Sequence, residues 1–172
     1  MNTTDKIALF SMIGTCVSAV ASLATLYFAK VALSAWKEQE VLKSKKDFKM
    51  SLLELKFVTL WQSSTIHPEH LRVGRNLLYD ANELKNSQLS EYEKNIFKGF
   101  AIEFEKFENA MQMCARHWLA SEKLFKGTKV ESLWGGICQA YNEYIQGMKS
   151  QAYFIEKLDE LIKIDLYYIS PS

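Results

Sequence analysis

The densest grouping of side chains able to do chemistry is His67-Pro68-Glu69-His70, two imidazoles and a carboxylate within four residues. Zinc favours such ligands, but a site needs three or four of them, held in orientation by partners behind. Only His117 remains in the histidine inventory. It follows Cys114 by three residues, a spacing that shares one helix face, yet Cys114 also belongs to an apolar seam. Nucleophilic catalysis needs a base beside the nucleophile and a third group to orient it. No Gly-x-Ser-x-Gly elbow is present, and neither Cys114 nor Cys138 has a recognisable histidine context. No glycine-rich loop between a strand and a helix could cradle phosphate. The acid pairs Glu103 and Glu105, and Asp159 and Glu160, read as solvated faces. Arg72, Arg75 and Arg116 are the only arginines; Arg72 and Arg75 are expected to pair locally with Asp80 and Glu83. These residues predict no catalytic centre, no metal site and no cofactor, hence a chain that is not an enzyme.

The totals bound the class of protein. The chain has 172 residues, enough for one domain and a short extra element. Lysine and arginine number 21 against 20 acids, a net charge of +1. That balance argues against a nucleic-acid partner, which would draw a basic excess. Seven glycines and two prolines, Pro68 and Pro171, leave few helix-breaking points, so an all-α fold is expected. Three cysteines make no disulfide framework and fit a reducing cytosol. Cys16 lies in an apolar run, and Cys114 and Cys138 are expected to be small buried hydrophobes.

That apolar run is the strongest signal. Ile7 to Ala29 contains no Asp, Glu, Lys, Arg or His. As a helix it would extend roughly 34 Å, against a hydrocarbon core of about 30 Å. Lys6 and Lys30 close its ends, and Tyr27 and Phe28 suit an interface. A buried core helix is the bland alternative, but a domain this small seldom hides so long an uncharged run. Ala19-Val20-Ala21 resembles a signal-peptide cleavage site, yet Asp5 dilutes the charged leader and the run continues eight residues past Ala21. The expectation is an uncleaved transmembrane helix.

Orientation follows from the flanks. Before the run Lys6 is offset by Asp5; after it come Lys30, Lys37, Lys43, Lys45, Lys46 and Lys49. The positive-inside rule predicts an external N-terminus and a cytoplasmic C-terminal domain in an inner (plasma) membrane. The lysines could also rest on anionic headgroups, although Glu38, Glu40 and Asp47 weaken that. The expected segments are a short external N-terminus (1–6), the transmembrane helix (7–29), a juxtamembrane helix (30–64), a cytoplasmic helical domain (65–166) and a tail (167–172).

One face of the apolar run is unusual. Ser11, Thr15, Ser18, Ser22, Thr25 and Ala29 recur at spacings of 4, 3, 4, 3 and 4, bordered by Gly14. Small residues let helix backbones approach closely in lipid, and hydroxyls can bond across the contact. This stripe is the predicted helix–helix interface, formed with a second copy or a partner span. The alternative is that each hydroxyl bonds back to its own helix.

Beyond Lys30 no Pro or Gly appears until Pro68, so one helix should run on, with Trp36 near the headgroups. Lys37 to Asp47 reads as a solvated stalk, and Phe48, Leu52 and Leu55, then Val58 or Trp61, as an apolar face. Pro68 should open a second helix reaching about Leu84, with a turn at Asn86-Ser87. Ser90-Glu91-Tyr92-Glu93 is a capping box opening a third. Its seam of Phe97, Phe100, Phe104, Phe107, Met111, Cys114 and Trp118 should pack on another helix. A turn is expected over 121–126, with Gly127 as C-cap and a second capping box at Thr128-Lys129-Val130-Glu131. The fourth helix carries Leu133, Trp134, Ile137, Tyr141, Tyr144 or Ile145, and Met148 on one face, with Gly135 and Gly136 expected at a close helix contact. A fifth helix over about 151–164 uses Phe154, Leu158, Leu161 and Ile162. The sum is a small antiparallel helical bundle behind a membrane helix.

Trp36-x-x-Gln39, the helix after Pro68 and Phe104-Glu105-x-Phe107 with the aromatic fourth helix resemble a family of uncharacterised bacterial single-span membrane proteins with a helical domain of unknown function. The resemblance implies an inner-membrane protein and supplies no catalytic residues. The functional expectation is a membrane-anchored interaction or regulatory module. Its partners would be the lipid bilayer, a second copy or partner span, and a protein bound by the helical domain. Alternatives are an oligomerising membrane-active effector with a hydroxyl-lined pore, and a membrane-bound enzyme.

Overall fold

The computed structural model describes residues 3–80 and 88–169, with residues 5–10 described in backbone only. Those residues are all-helical, without a strand. Helix α1 runs unbroken over Thr3–Leu60, as a stretch with no proline and only Gly14 permits. The chain forms two compact units that divide between Leu42 and Lys43. The second unit therefore begins inside α1, about twenty residues before the expected start of the helical domain at residue 65. The reason is burial: Phe48, Leu52 and Leu55 are fully enclosed.

In this second unit α2 covers Pro68–Tyr79. His67 caps it in an extended conformation, as the ring of the following proline requires. The expected extension to Leu84 and the turn at Asn86-Ser87 lie outside the described residues. Helix α3 covers Glu91–Phe125 and opens with the predicted capping box, the Ser90 hydroxyl accepting from Glu93 N–H and the Glu93 carboxylate from Ser90 N–H. The turn expected over 121–126 is instead the last turn of α3. Ser121 is buried, and its hydroxyl donates back to the His117 carbonyl at 2.8 Å, which keeps the residue compatible with a helix.

Gly127 follows at φ 74°, a conformation that favours glycine. Helix α4 covers Lys129–Ile145 and α5 covers Gln151–Ile162. Thr128 accepts from Val130 N–H, while Glu131 reaches past Thr128 to Gly127 N–H at 2.7 Å. The second cap is thus shifted by one residue from a reciprocal box. Helix α2 packs along α3, α4 along α5, and α3 meets α4.

Two aromatic groups form the core. Phe48 lies 5.5 Å from Trp118, 5.8 Å from Phe125 and 5.6 Å from Trp134, ring centre to ring centre. Phe107 contacts Tyr141, Tyr144 and Phe154 at 5.5–5.7 Å. The loop after α1 is held by side-chain bonds. Gln151 Nε2 donates to the carbonyls of Thr59 and Gln62, and the Tyr144 hydroxyl donates to that of Ser63.

The C-terminal stretch is packed down. Leu166 is buried within a 3-10 turn, Leu166–Tyr168, and Lys45 donates to the carbonyls of Tyr167 and Ile169. The expected tail from residue 167 is therefore part of the fold at least to Ile169.

The glycine expectation was misplaced. A methyl group on Gly135 or Gly136 would meet nothing within 4 Å, whereas one on Gly74 would collide with the Phe97 carbonyl oxygen. Close helix approach occurs between α2 and α3, not at α4. Met148, expected on the inner face of α4, lies beyond its end and is exposed.

In urea unfolding of the detergent-solubilised chain, Gly74→Ala should cost about 1–3 kcal/mol, while Gly135→Ala should be neutral or stabilise by up to about 1 kcal/mol. Phe48→Ala should cost about 3–5 kcal/mol. Equal effects at Gly74 and Gly135 would contradict this packing.

Candidate functional site

The first compact unit holds the predicted interface stripe. From Ser11 to Glu40 every residue is exposed, including large apolar side chains such as Val20, Leu23, Leu26 and Phe28. Helix α1 is long and apolar enough to cross a membrane, and none of its most apolar stretch is buried within the protein. In water such a contiguous apolar surface would be costly. Trp36 is exposed as well.

The stripe residues Ser11, Thr15, Ser18, Ser22, Thr25 and Ala29 are exposed, and the space around Gly14 is open. Three of their hydroxyls bond inward. Thr15 donates to the Ser11 carbonyl, Ser22 to that of Ser18 and Thr25 to that of Ala21, each at 2.9 Å. This satisfies those three donors within the helix.

The basic cluster is less uniform than its sequence. Lys30, Lys37, Lys43 and Lys46 are exposed. Lys45 is buried against the C-terminal carbonyls, and Lys49 is half-buried with its ammonium 5.9 Å from the Tyr167 ring centre. Two of the six lysines thus serve the fold rather than a headgroup layer.

The bundle disperses its reactive side chains. His67 and His70 are neighbours at 5.0 Å between rings, both exposed, but Glu69 is engaged by Arg72 at 2.9 Å. Among the described residues no group of three or more His, Cys, Asp or Glu is placed to hold a metal ion. Arg75 pairs with Glu108 of α3 and lies over the Phe104 ring. Among the described residues the arginines of α2 thus meet Glu69 and Glu108; the expected partner Glu83 lies outside them. Cys114 is fully buried, and burial pushes its thiol up to about 12, against a hydrogen bond with Ser51 that lowers it. A protonated, enclosed thiol is a poor nucleophile. Cys138 is half-buried and its pKa is raised by burial.

One surface has only a masked signal in the sequence. Between α1 and α3 runs an open groove of about 430 Å³, lined by Met50, Leu53, Phe57 and Met113 together with the polar Asp47, Ser51, Glu54 and His117. The signal was present: Met50, Leu53, Phe57 and Leu60 form a second 3-4-3 set, masked by the first set on the same helix.

Comparison with protein-family models, with curated proteins and with solved structures found no match to this chain.

Burial also pushes the Tyr141 and Tyr144 phenols up from 10.0 to about 12. Below pH 10 both folded and unfolded chains keep these protons, so the contribution to stability is whole. As pH rises from 10 to 12 the unfolded phenols ionise while the folded ones do not, and stability falls. The urea midpoint of the detergent-solubilised chain should drop across this window, and less steeply in Tyr141→Phe. An unchanged slope in that variant would remove Tyr141 as a cause.

Proposed function

We propose that this chain is a single-pass, membrane-anchored helical module of bacterial type. Residues 7–29 would cross the inner membrane with the N-terminus outside and the bundle in the cytoplasm. The observation that carries this reading is the wholly exposed apolar stretch of α1, which carries no charged residue from Ser11 to Ala29. Lipid is the solvent that makes such a surface favourable and leaves no backbone group unsatisfied in a helix. The lysine excess after Ala29 supports the orientation.

In this reading the stripe from Ser11 to Ala29 joins one span to another. The hydroxyls of Thr15, Ser22 and Thr25 are turned to carbonyls of their own helix, so contact at those positions would come from close packing of small residues rather than from bonds between helices. The same inward bonding gives little support to a hydroxyl-lined pore. The bundle would act by binding a protein partner, since its cysteines are enclosed or half-enclosed and Arg72 and Arg75 are paired.

The chain should remain in the membrane pellet after alkaline carbonate extraction. Val20→Lys, which places a charge near the bilayer centre at about 2.5–3.5 kcal/mol, should move a large part of it to the soluble fraction. A reporter active only in the cytoplasm should be active when fused to the C-terminus and silent at the N-terminus. In a two-hybrid assay of the isolated span, Ser18→Leu with Ser22→Leu should reduce association about tenfold. An extractable wild-type chain would defeat the reading.

A further inference from the structure

Helix α2 opens on a pair of imidazoles whose nitrogens the fold does not use. His67 holds the N-cap and His70 follows three residues on, in the first turn. Their rings lie 5.0 Å apart, centre to centre, at an interplanar angle of 49°. Both residues are exposed, and among the described residues neither ring has a hydrogen-bond partner. His70 also meets the Phe97 ring at 5.3 Å, an edge contact that takes up no nitrogen.

The proximity has a local cause. Side chains at the N-cap and three residues later reach toward each other, which is how a capping box closes. In α3 those two places hold Ser90 and Glu93, and the box is complete. In α2 they hold His67 and His70, and His67 makes no side-chain bond to the first turn. The geometry of a cap is therefore kept while its donors and acceptors stay unspent.

That separation suits one shared metal ion. A metal–imidazole bond is about 2.0–2.1 Å and runs outward from the ring, so two rings on one ion stand about 4.5 Å apart at a right angle and about 5.2 Å apart at a tetrahedral angle. The observed 5.0 Å falls between these limits. Two imidazoles are too few for a closed zinc site, and among the described residues no third His, Cys, Asp or Glu is placed with them. Copper(II) makes a different demand. It heads the affinity order of the divalent first-row ions and accepts a tetragonal set of nitrogen and oxygen ligands, which water can complete at an exposed position. Nearby charge does not forbid it. Arg72 donates from both Nε and Nη2 to Glu69 Oε2, at 3.1 and 2.9 Å, so the guanidinium is balanced. The positive end of α2 opposes a cation only weakly where water screens it.

We infer that His67 and His70 together bind one late first-row divalent ion, copper(II) in preference to nickel(II), with water in the remaining positions. By bridging the N-cap and the first turn, the ion does for α2 what the capping box does for α3. A search for three or four protein ligands passes over such a site. The inference does not depend on the membrane-anchored reading, since both ligands belong to the bundle.

The test titrates the detergent-solubilised full chain, purified without a histidine tag, with copper(II) chloride in a non-coordinating buffer. Calorimetry and electron paramagnetic resonance should report one ion per chain, coupled to two imidazole nitrogens. His67→Gln and His70→Gln should each weaken binding about tenfold or more and remove one coupled nitrogen. Nickel(II) should compete for the same site with lower affinity, following the same order. His117→Gln removes the one other histidine, half-buried on α3, and should change neither affinity nor spectrum. Both ligands are exposed, so the far-ultraviolet circular dichroism of their variants without copper should match that of the wild type. Wild-type affinity in either ligand variant, a spectrum with a single coupled nitrogen in the wild-type chain, or loss of binding in His117→Gln overturns the inference. The nitrogen count needs no variant, so it decides even if a substitution disturbs α2.

Discussion

Phe48 sits where three other rings converge: Trp118 and Phe125 from α3 and Trp134 from α4. Such clusters favour tilted and edge contacts that fix the rings' mutual placement as well as burying their area. Much else follows from that convergence. Helix α3 has to stay helical as far as Phe125 to deliver its last ring. The chain must then reverse within Lys126, Gly127 and Thr128 so that Trp134 arrives on the first turns of α4. Gly127 supplies the positive φ that so short a reversal demands. Helix α1, though it carries a surface suited to lipid at one end, has its other end set by this aromatic contact.

A second layer of constraint is polar. The last turn of α1 and the loop after it present carbonyls at Thr59, Gln62 and Ser63 that would be costly to bury without partners. Gln151 and Tyr144, from α5 and α4, take up all three, so this loop is fixed by residues some ninety positions away. Lys45 plays the same part for the C-terminal turn. Its position among six lysines gave no hint of this. A lysine is buried when its ammonium finds backbone carbonyls, here those of Tyr167 and Ile169.

The distribution of chemistry is consistent with the proposed role. Reactive groups are scattered, paired or enclosed, while apolar surface is left open in two places on one helix. In the proposed role the first of these would meet lipid. A protein that acts by location and association needs no more than this, and the surfaces such a protein would use are those the chain leaves uncovered.

What the sequence determined on its own were the features carried by local physics. The helical class follows from composition, and the apolar run from the absence of charge between Ile7 and Ala29. The capping box at Ser90 is a contact within four residues, and the seam from Phe104 to Trp118 repeats at a helical period. What it left open were features decided by residues distant in the chain. Whether Gly74 or Gly135 sits at a helix contact depends on which helix lies opposite. Whether Ser121 ends α3 depends on where Phe125 must go, and whether Lys45 faces water depends on the C-terminal turn. The outer face of α1 was hidden for a related reason. A helix apolar on two sides has no single hydrophobic direction, and only packing of the bundle shows which side the core takes and which it leaves free.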